Sequence, residues 1–443
     1  MPHRYPETHV LYRNLGRAYP LVIKGEGCWL YDSEGRNYLD ACGGAFVACL
    51  GHGVAEVVDA MAEQVRRVGY VSGMAFTNEA AEGLADELAS LALGDLTHFY
   101  FLSSGSDAIE AALKLARQYW VERGRAEKEL VVAFAPAYHG NTLLALSLGA
   151  REHSKAYFHP WLLEVPRIPA PYRYRCPCRG AEPDCPRCSG RALEELLLRL
   201  GPERVAAFVG EPVGGSSTGA SVPRDDYWKT IREICDRHDV LWIADEVLVG
   251  AGRTGTWSSL EPYAAVPDIQ VMGKGVSGGY APLAVVAAPR RLVDVLAAGS
   301  SGLLHAQTYI HSPAMCAAGA AAIRYLRRHD LIARCERMGR IFQERLQSLR
   351  GLPYVGDVRG RGLLAGIEFV EDVESGAPFL REQRFAERFT AAAERAGLMV
   401  WPNTGQADGV NGDLVVLAPP FVISEPEIDE IVSRFRSALD NVV

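Results

Sequence analysis

A chain of 443 residues is too long for one small core, and its 48% hydrophobic and 23% charged residues are those of a folded, water-soluble protein rather than a disordered one. A formal net charge of −8 works against protein-wide attraction to nucleic acid or anionic lipid, which reward an excess of Lys and Arg. No run approaches the ~20 apolar residues that span a bilayer, and the opening MPHRYPETHVLYR has no apolar signal core, so a cytoplasmic location without membrane or nucleic-acid partners is expected.

In chain order, Trp29–Asp40 reads as a hairpin turning at Asp32-Ser33-Glu34-Gly35, and Glu56–Val68 as a helix. From about residue 98 to 290, short apolar runs rich in Val, Ile and Phe alternate with amphipathic stretches, the pattern of a mostly parallel sheet flanked by helices. Strands are predicted at His98–Leu102, Val131–Phe134, Ala206–Val209, Leu241–Ala244, Ile269–Met272 and Leu283–Ala287, each apolar through both parities as a buried strand is. Ser106–Val121 reads as a helix with Ile109, Ala112, Leu113, Ala116 and Trp120 on one face. After His311 come a helix through about Arg328, another from Leu331 to about Leu349, a strand at Leu363–Phe369, and helices at Glu382–Ala396 and Glu425–Leu439. The expected organisation is α/β: residues 1–65 as an amino-terminal arm and part of a small domain, 66–312 as a large domain, and 313–443 as a smaller α+β domain. No repeat of fixed period and no low-complexity tract interrupts it.

Open parallel sheets bind ligands beyond the carboxyl ends of their strands. The residues that follow the predicted strands are Ser104-Gly105-Ser106, Tyr138-His139-Gly140, Glu211-Pro212, Asp245-Glu246 and Lys274-Gly275. Gly105 and Ser106 open a helix, where free N–H groups and a hydroxyl suit a phosphate; taken alone, a plain helix cap is equally open. Asp245 emerges from a buried strand, where an unpaired charge is expensive, so it needs a cationic partner. A protonated pyridine nitrogen would serve, as would a structural ion pair. Lys274 sits between glycines, and a desolvated amine there can form an imine with an aldehyde; for an isolated Gly-Lys-Gly a solvated surface lysine also stays open. Tyr138 offers a flat face for a ring and Val247 an apolar wall opposite, though either also fits a core.

Ten cysteines in a long chain without an export signal point to reduced thiols. Cys176, Cys178, Cys185 and Cys188 stand apart as two close pairs on a Pro- and Gly-rich stretch, which suits one structural zinc. The Cys-x-Cys spacing departs from the usual Cys-x-x-Cys, so free thiols or a disulfide remain alternatives.

These residues together resemble class III aminotransferases, the pyridoxal-phosphate fold type I family that includes ornithine, 4-aminobutyrate and ω-amine transaminases. The likeness runs through Tyr38-Leu39-Asp40-Ala41, Gly51-His52-Gly53, Ser103-Ser104-Gly105-Ser106-Asp107-Ala108, Tyr138-His139-Gly140, Asp245-Glu246-Val247, Gly252-Arg253-Thr254-Gly255, Lys274-Gly275, Thr308-Tyr309, Arg359-Gly360-Arg361-Gly362 and Leu417-Ala418-Pro419-Pro420. The resemblance implies that Lys274 carries pyridoxal 5'-phosphate as an imine and Asp245 pairs with the ring nitrogen. It further implies that Gly105 and Ser106 hold the phosphate, Tyr138 and Val247 flank the ring, His139 lies in the cofactor site, and Glu211 pairs with an active-site arginine. Thr308 would reach the phosphate of a neighbouring subunit, so a homodimer with shared sites is implied. The reaction expected is ping-pong transfer from a small-molecule amine donor to a keto-acid acceptor.

Two departures bear on substrate. Ala251 stands where the family usually has Phe, which predicts extra space beside the cofactor. Trp401–Val416, where many members place an arginine for the substrate carboxylate, contains none. An ω- or amine-type transaminase using pyruvate is therefore expected, with Arg173, Arg175 or Arg253 as candidates to hold the acceptor's carboxylate. The competing readings are an amino-acid transaminase using 2-oxoglutarate, a same-fold decarboxylase, racemase or aminomutase, and a metal-stabilised binding protein on an inactive scaffold. Nucleotide sites are excluded: no G-x-G-x-x-G follows the first strand, and no P-loop motif occurs.

Overall fold

Strands β1 (Val22–Glu26), β2 (Trp29–Asp32) and β3 (Asn37–Asp40) form an antiparallel meander, confirming the predicted hairpin and adding a strand ahead of it. The hairpin turns where Asp32 Oδ1 accepts the N–H groups of Glu34 and Arg36, both at 2.9 Å, an aspartate substituting for the backbone in a tight reversal. This computed structural model describes residues 3–149, 155–179, 182 and 184–442.

The central sheet comprises β4 (His98–Leu102), β5 (Leu130–Ala135), β6 (Arg167–Pro169), β7 (Val205–Gly210), β8 (Leu241–Glu246), β9 (Ile269–Met272) and β10 (Ala284–Ala288). Their order is β4-β10-β9-β8-β7-β5-β6. From β9 to β6 neighbouring strands are parallel, whereas β10 runs antiparallel to both β4 and β9. All six predicted strands are present. The reversal of β10 follows from the short Gly-rich link 273–283, since a parallel connection needs a crossover of a dozen or more residues, usually helical. β6 was not predicted: a short edge strand ending in Pro169 carries no apolar run.

Side-chain parity sorts the sheet's two faces. Ala133, Val209, Leu241 and Ile243 pack with the helix Gly105–Glu122 on one. Phe134, Phe208, Trp242 and Ala244 pack with helices Ala192–Leu200 and Tyr227–Arg237 on the other. There Trp242 stacks on Trp228 with centroids 5.0 Å apart. Each such fully buried large apolar side chain contributes about 1.5–3 kcal/mol relative to exposure. These layers fix where the strand ends lie.

The carboxy-terminal third adds β11 (Val355–Arg361), β12 (Leu364–Phe369), β13 (Leu398–Met399), β14 (Trp401–Thr404) and β15 (Asp413–Leu417). β11, β12, β15 and β14 form an antiparallel sheet, while β13 returns to pair in parallel with β3. One apolar core accordingly holds Leu39 and Val57 together with Ile323, Phe342, Ile367 and Phe435. The helices Pro313–Arg328, Leu331–Gln347, Phe385–Arg395 and Glu425–Asp440 lie where periodicity predicted them. No described helix is long and apolar enough to cross a membrane, and no disulfide joins any of the ten cysteines.

Several motifs that carried the family likeness meet one another in this packing. Arg253, almost wholly buried, donates from Nη1 to the carbonyls of Leu363 (3.0 Å) and Pro419 (2.6 Å), fastening the Arg359–Gly362 and Leu417–Pro420 stretches together. His52 Nε2 lies 3.0 Å from Asp40 Oδ2, joining the first two motifs. A side chain on Gly362 would stand 2.6 Å from the Thr254 backbone, so that turn tolerates only glycine.

Candidate active site

The carboxyl ends of β5, β7, β8 and β9 gather the expected chemistry. Asp245, on the parity of Leu241 and Ile243, is 6% exposed. Its Oδ2 lies 2.7 Å from His139 Nδ1, and its Oδ1 accepts the Val247 N–H at 3.0 Å. Burial lowers the His139 pKa, but the hydrogen bond to Asp245 and the charges of Asp245 and Glu211 outweigh it, leaving a net rise. His139 therefore orients the carboxylate, a role its place in the motif did not disclose. Its other nitrogen, Nε2, is buried with no hydrogen-bond partner among the described residues. The adjacent Glu246 differs: Ser259 N–H (2.7 Å), Ser259 hydroxyl (2.8 Å) and the Gln270 amide (2.7 Å) satisfy its buried carboxylate.

Glu211 was expected to face an arginine. Instead its carboxylate accepts the Gly215 N–H (3.0 Å), the Ser217 hydroxyl (2.9 Å) and the Tyr138 N–H (3.2 Å), with no arginine paired to it among the described residues. Burial, followed by the opposing effect of His139 and then the charge of Asp245, leaves its pKa raised. It holds the Tyr138–Gly140 turn in place. Ser217 and Gly215 were not singled out from sequence, because only the loop's fold aims them at Glu211.

Lys274 begins the short turn Lys274–Ser277 after β9, with φ of 42°. A side-chain-bearing residue in the left-handed region costs about 1–3 kcal/mol and persists where the surroundings impose it. Burial depresses its pKa, with the carboxylates of Asp245 and Glu211 acting in the opposite direction. No hydrogen bond ties down its Nζ among the described residues. Lys128 shows what a structural buried lysine looks like here: its Nζ donates to the carbonyls of Asp239 (2.6 Å), Val205 (3.1 Å) and Pro202 (3.2 Å). Lys274, half-buried, has no such anchoring among the described residues.

Glycines allow the remaining pieces to close in. A Cβ on Gly105 would stand 2.8 Å from Val247 Cγ1, and one on Gly273 3.2 Å from the same atom. One on Gly140, where φ is 137°, would stand 2.4 Å from Ser106 Oγ and 2.9 Å from its Cα. Asn141 exchanges hydrogen bonds with Ser106, its N–H donating to Oγ at 3.1 Å and its Oδ1 accepting at 3.2 Å. Ser104 caps the helix by accepting the Asp107 N–H at 3.2 Å, leaving Gly105 and Ser106 at the positive end of an 18-residue helix. Asn141 was missed from sequence, although it directly follows the His-Gly pair. Tyr138 is 39% exposed beside this turn. Thr308 is exposed in the 299–312 segment.

One expectation about space is corrected, and each of the three candidate arginines is found in a local contact. Ala251 opens no room: it is completely buried, its Cβ 3.2 Å from where a Cβ on Gly275 would stand. Arg253 is committed to backbone carbonyls, as above, and Arg175 pairs with Glu368 at 2.7 Å. Arg173 donates its Nε to the Arg179 carbonyl at 2.9 Å. Cys176, Cys178, Cys185 and Cys188 converge on one another between β6 and the helix Ala192–Leu200.

A mostly parallel seven-stranded sheet with one reversed strand, and polar groups gathered beyond its strand ends, is the architecture of pyridoxal-phosphate enzymes of fold type I. The class-III aminotransferase family model matches residues 13–439, and the chain belongs to that family. It is 37% identical over 435 residues to the uncharacterized aminotransferase YodT of Bacillus subtilis, covering 98% of this chain and 97% of that one. It is 32% identical over 424 residues to the putrescine–pyruvate aminotransferase of Pseudomonas aeruginosa, covering 95% and 90%. Among solved structures, an (S)-enantioselective omega-transaminase from Thermomicrobium roseum superposes with a TM-score of 0.89 at 34% identity, covering 98% and 96%. The chain is thus an aminotransferase of a family that depends on pyridoxal phosphate.

Proposed function

We propose that this enzyme moves an amino group from a primary amine or ω-amino acid to a keto acid, pyruvate foremost, by a ping-pong cycle, as a cytoplasmic homodimer. The observation that carries the donor class is the β14–β15 hairpin. Its segment Trp401–Val416 has no arginine, and at its base Trp401 packs 5.3 Å from Phe46 beside Val213 and Val249, which follow Glu211 and Asp245 in the chain. A substrate carboxylate entering an apolar pocket must keep water or gain a cation, and a guanidinium offers the best geometry. With Arg175 and Arg253 engaged elsewhere, an uncharged substituent is favoured at that position. The omega-transaminase likeness and the putrescine–pyruvate relative support the same donor class.

The residues present fit the cofactor: a desolvated Lys274 amine, a buried carboxylate held by His139, and a glycine cradle at a helix N-terminus. Gly105, Ser106 and the turn through Asn141 would hold the phosphate, Val247 and Tyr138 the ring faces, Asp245 the ring nitrogen, and Lys274 the aldehyde carbon. When bound, pyridoxal phosphate supplies an electron-poor ring that stabilises negative charge on the substrate carbon. Lys274 Nζ would be the base placed to take the proton from that substrate carbon and to give it back.

The phosphate assignment predicts that Gly140→Ala weakens cofactor retention. The new Cβ must displace Ser106, and losing one or two charge-assisted hydrogen bonds should raise the dissociation constant on the order of 10- to 100-fold. Fluorescence titration of the apoenzyme checks this, and unchanged affinity would remove Ser106 from the phosphate site.

Substrate class is tested by comparing a simple aryl-alkyl amine with 4-aminobutyrate and ornithine, using pyruvate and 2-oxoglutarate as acceptors. Turnover of the simple amine with pyruvate is the expected result. If every active donor needs a carboxylate, the hairpin inference is wrong and the enzyme is an amino-acid transaminase.

A further inference from the structure

The strongest feature outside the candidate active site is the loop between β6 and the helix Ala192–Leu200. Four sulfurs meet there: Cys176 Sγ lies 3.3 Å from Cys178, 3.4 Å from Cys188 and 3.6 Å from Cys185, and Cys178 lies 3.5 Å from Cys188. All four fall within 4.8 Å of one another. Four thiolates at ~2.3 Å from a central ion occupy a tetrahedron with edges of ~3.8 Å. The observed separations are close to that size, and none is near the ~2 Å of a disulfide bond.

The backbone explains the convergence. Arg179 N–H donates to the Cys176 carbonyl at 2.8 Å, turning the chain so that Cys176 and Cys178 face one way. Beyond it, Cys188 and Ser189 donate to the Cys185 carbonyl at 3.1 and 2.9 Å, a single helical turn that puts Cys185 and Cys188 on one side. Pro177 and Pro186 stiffen both turns. Thiols are weak hydrogen-bonding groups, so gathering four of them in one small volume gains little by itself.

We propose that Cys176, Cys178, Cys185 and Cys188 bind one structural zinc ion as a tetrathiolate. A closed set of four soft sulfur donors leaves no open position for a substrate or activated water, which separates a structural site from a catalytic one. Binding takes one Zn²⁺ and releases the thiol protons to solvent, leaving a centre of charge −2. Five arginines against two acids in the segment 173–191 offset that charge. Arg187 reaches back from the second turn, donating to the carbonyls of Ala170 (3.1 Å) and Arg175 (3.2 Å). Arg175 pairs with Glu368 of β12 at 2.7 Å, and Tyr172 hydrogen-bonds the same carboxylate. Arg359 meets its other oxygen at 2.9 Å. The metal thus braces the clip that joins the edge of the central sheet to the carboxy-terminal sheet, independently of the transamination reading.

The test uses the full-length holoenzyme purified without chelator and exchanged into metal-free buffer. Elemental analysis should find one zinc per chain, and titration with an organomercurial should release it in step with thiol consumption, read by a chromogenic chelator. The double variant Cys178→Ser/Cys185→Ser should lose the zinc and several degrees of Tm, while Cys235→Ser keeps the zinc. If the double variant does not fold, mercurial release from the unaltered protein decides. Zinc-free protein with four thiols open to alkylation, a disulfide among the four by mass spectrometry, or iron in place of zinc would each overturn the proposal.

Discussion

Replacing Lys274 by alanine is expected to reduce multiple-turnover transamination on the order of 10⁴-fold or more, because under the proposed function one amine supplies both the covalent hold on the cofactor and the proton transfer. Lys274 is desolvated near two carboxylates, and burial lowers its pKa, so the neutral nucleophilic amine forms more readily than on an exposed lysine. Neither lysine that is buried among the described residues substitutes: Lys128 is locked to three carbonyls, and Lys155 donates to Gly149 O at 3.2 Å. The purified variant should also lack the visible absorbance of lysine-linked cofactor, and borohydride should fix no cofactor to the chain. Added primary amine should restore single-turnover chemistry only in part. Alanine at an αL position also relocates strain, so near-UV circular dichroism should accompany the assay. Full multiple-turnover activity in a folded variant would remove Lys274 from the chemistry.

The central sheet and the chemistry at its ends were legible in the sequence for one reason. A strand buried on both faces reads as an unbroken apolar run, so the polar residue ending the run is conspicuous. Asp245 after Leu241–Ala244 and Lys274 after Ile269–Met272 were found that way. What was illegible depends on how loops fold. The Gly215 and Ser217 contacts to Glu211 come from residues that look like ordinary turn formers, and the arginine expected opposite that carboxylate is absent from among its described partners. The His139–Asp245 hydrogen bond spans two strand ends brought together by sheet order, which periodicity does not encode. The direction of β10 was recoverable from the length of its link, but its apolar pattern is indifferent to direction. Ala251 illustrates the opposite error: a smaller residue suggested a cavity, whereas the backbone of Gly275 closes against it. For the cysteines, spacing alone left zinc, thiols and disulfide open, and the short backbone turns are what bring the sulfurs together.

Replacing Asp245 by asparagine is expected to leave the fold intact and the cofactor partly retained while lowering kcat on the order of 10³-fold, about 4 kcal/mol at the transition state. The amide keeps the shape of the carboxylate, and its oxygen can take the Oδ2 position that faces His139 Nδ1 across 2.7 Å, which leaves the amide NH2 toward the Val247 N–H. What it loses is the negative charge, so a ring nitrogen opposite it no longer keeps a proton, and the ring withdraws electrons less strongly when the substrate carbon becomes negative. That loss appears only as charge develops, so kcat and kcat/KM should fall together while KM changes little. The burial of Asp245 makes the effect large, since water is not at hand to replace the missing charge. A merely structural Asp245 predicts the reverse pattern: a lowered Tm from a disturbed His139 and Val247, with the rate per folded molecule unchanged. Measuring Tm, cofactor content and steady-state kinetics on one preparation separates the two outcomes, and a wild-type kcat would place the ring-nitrogen partner elsewhere.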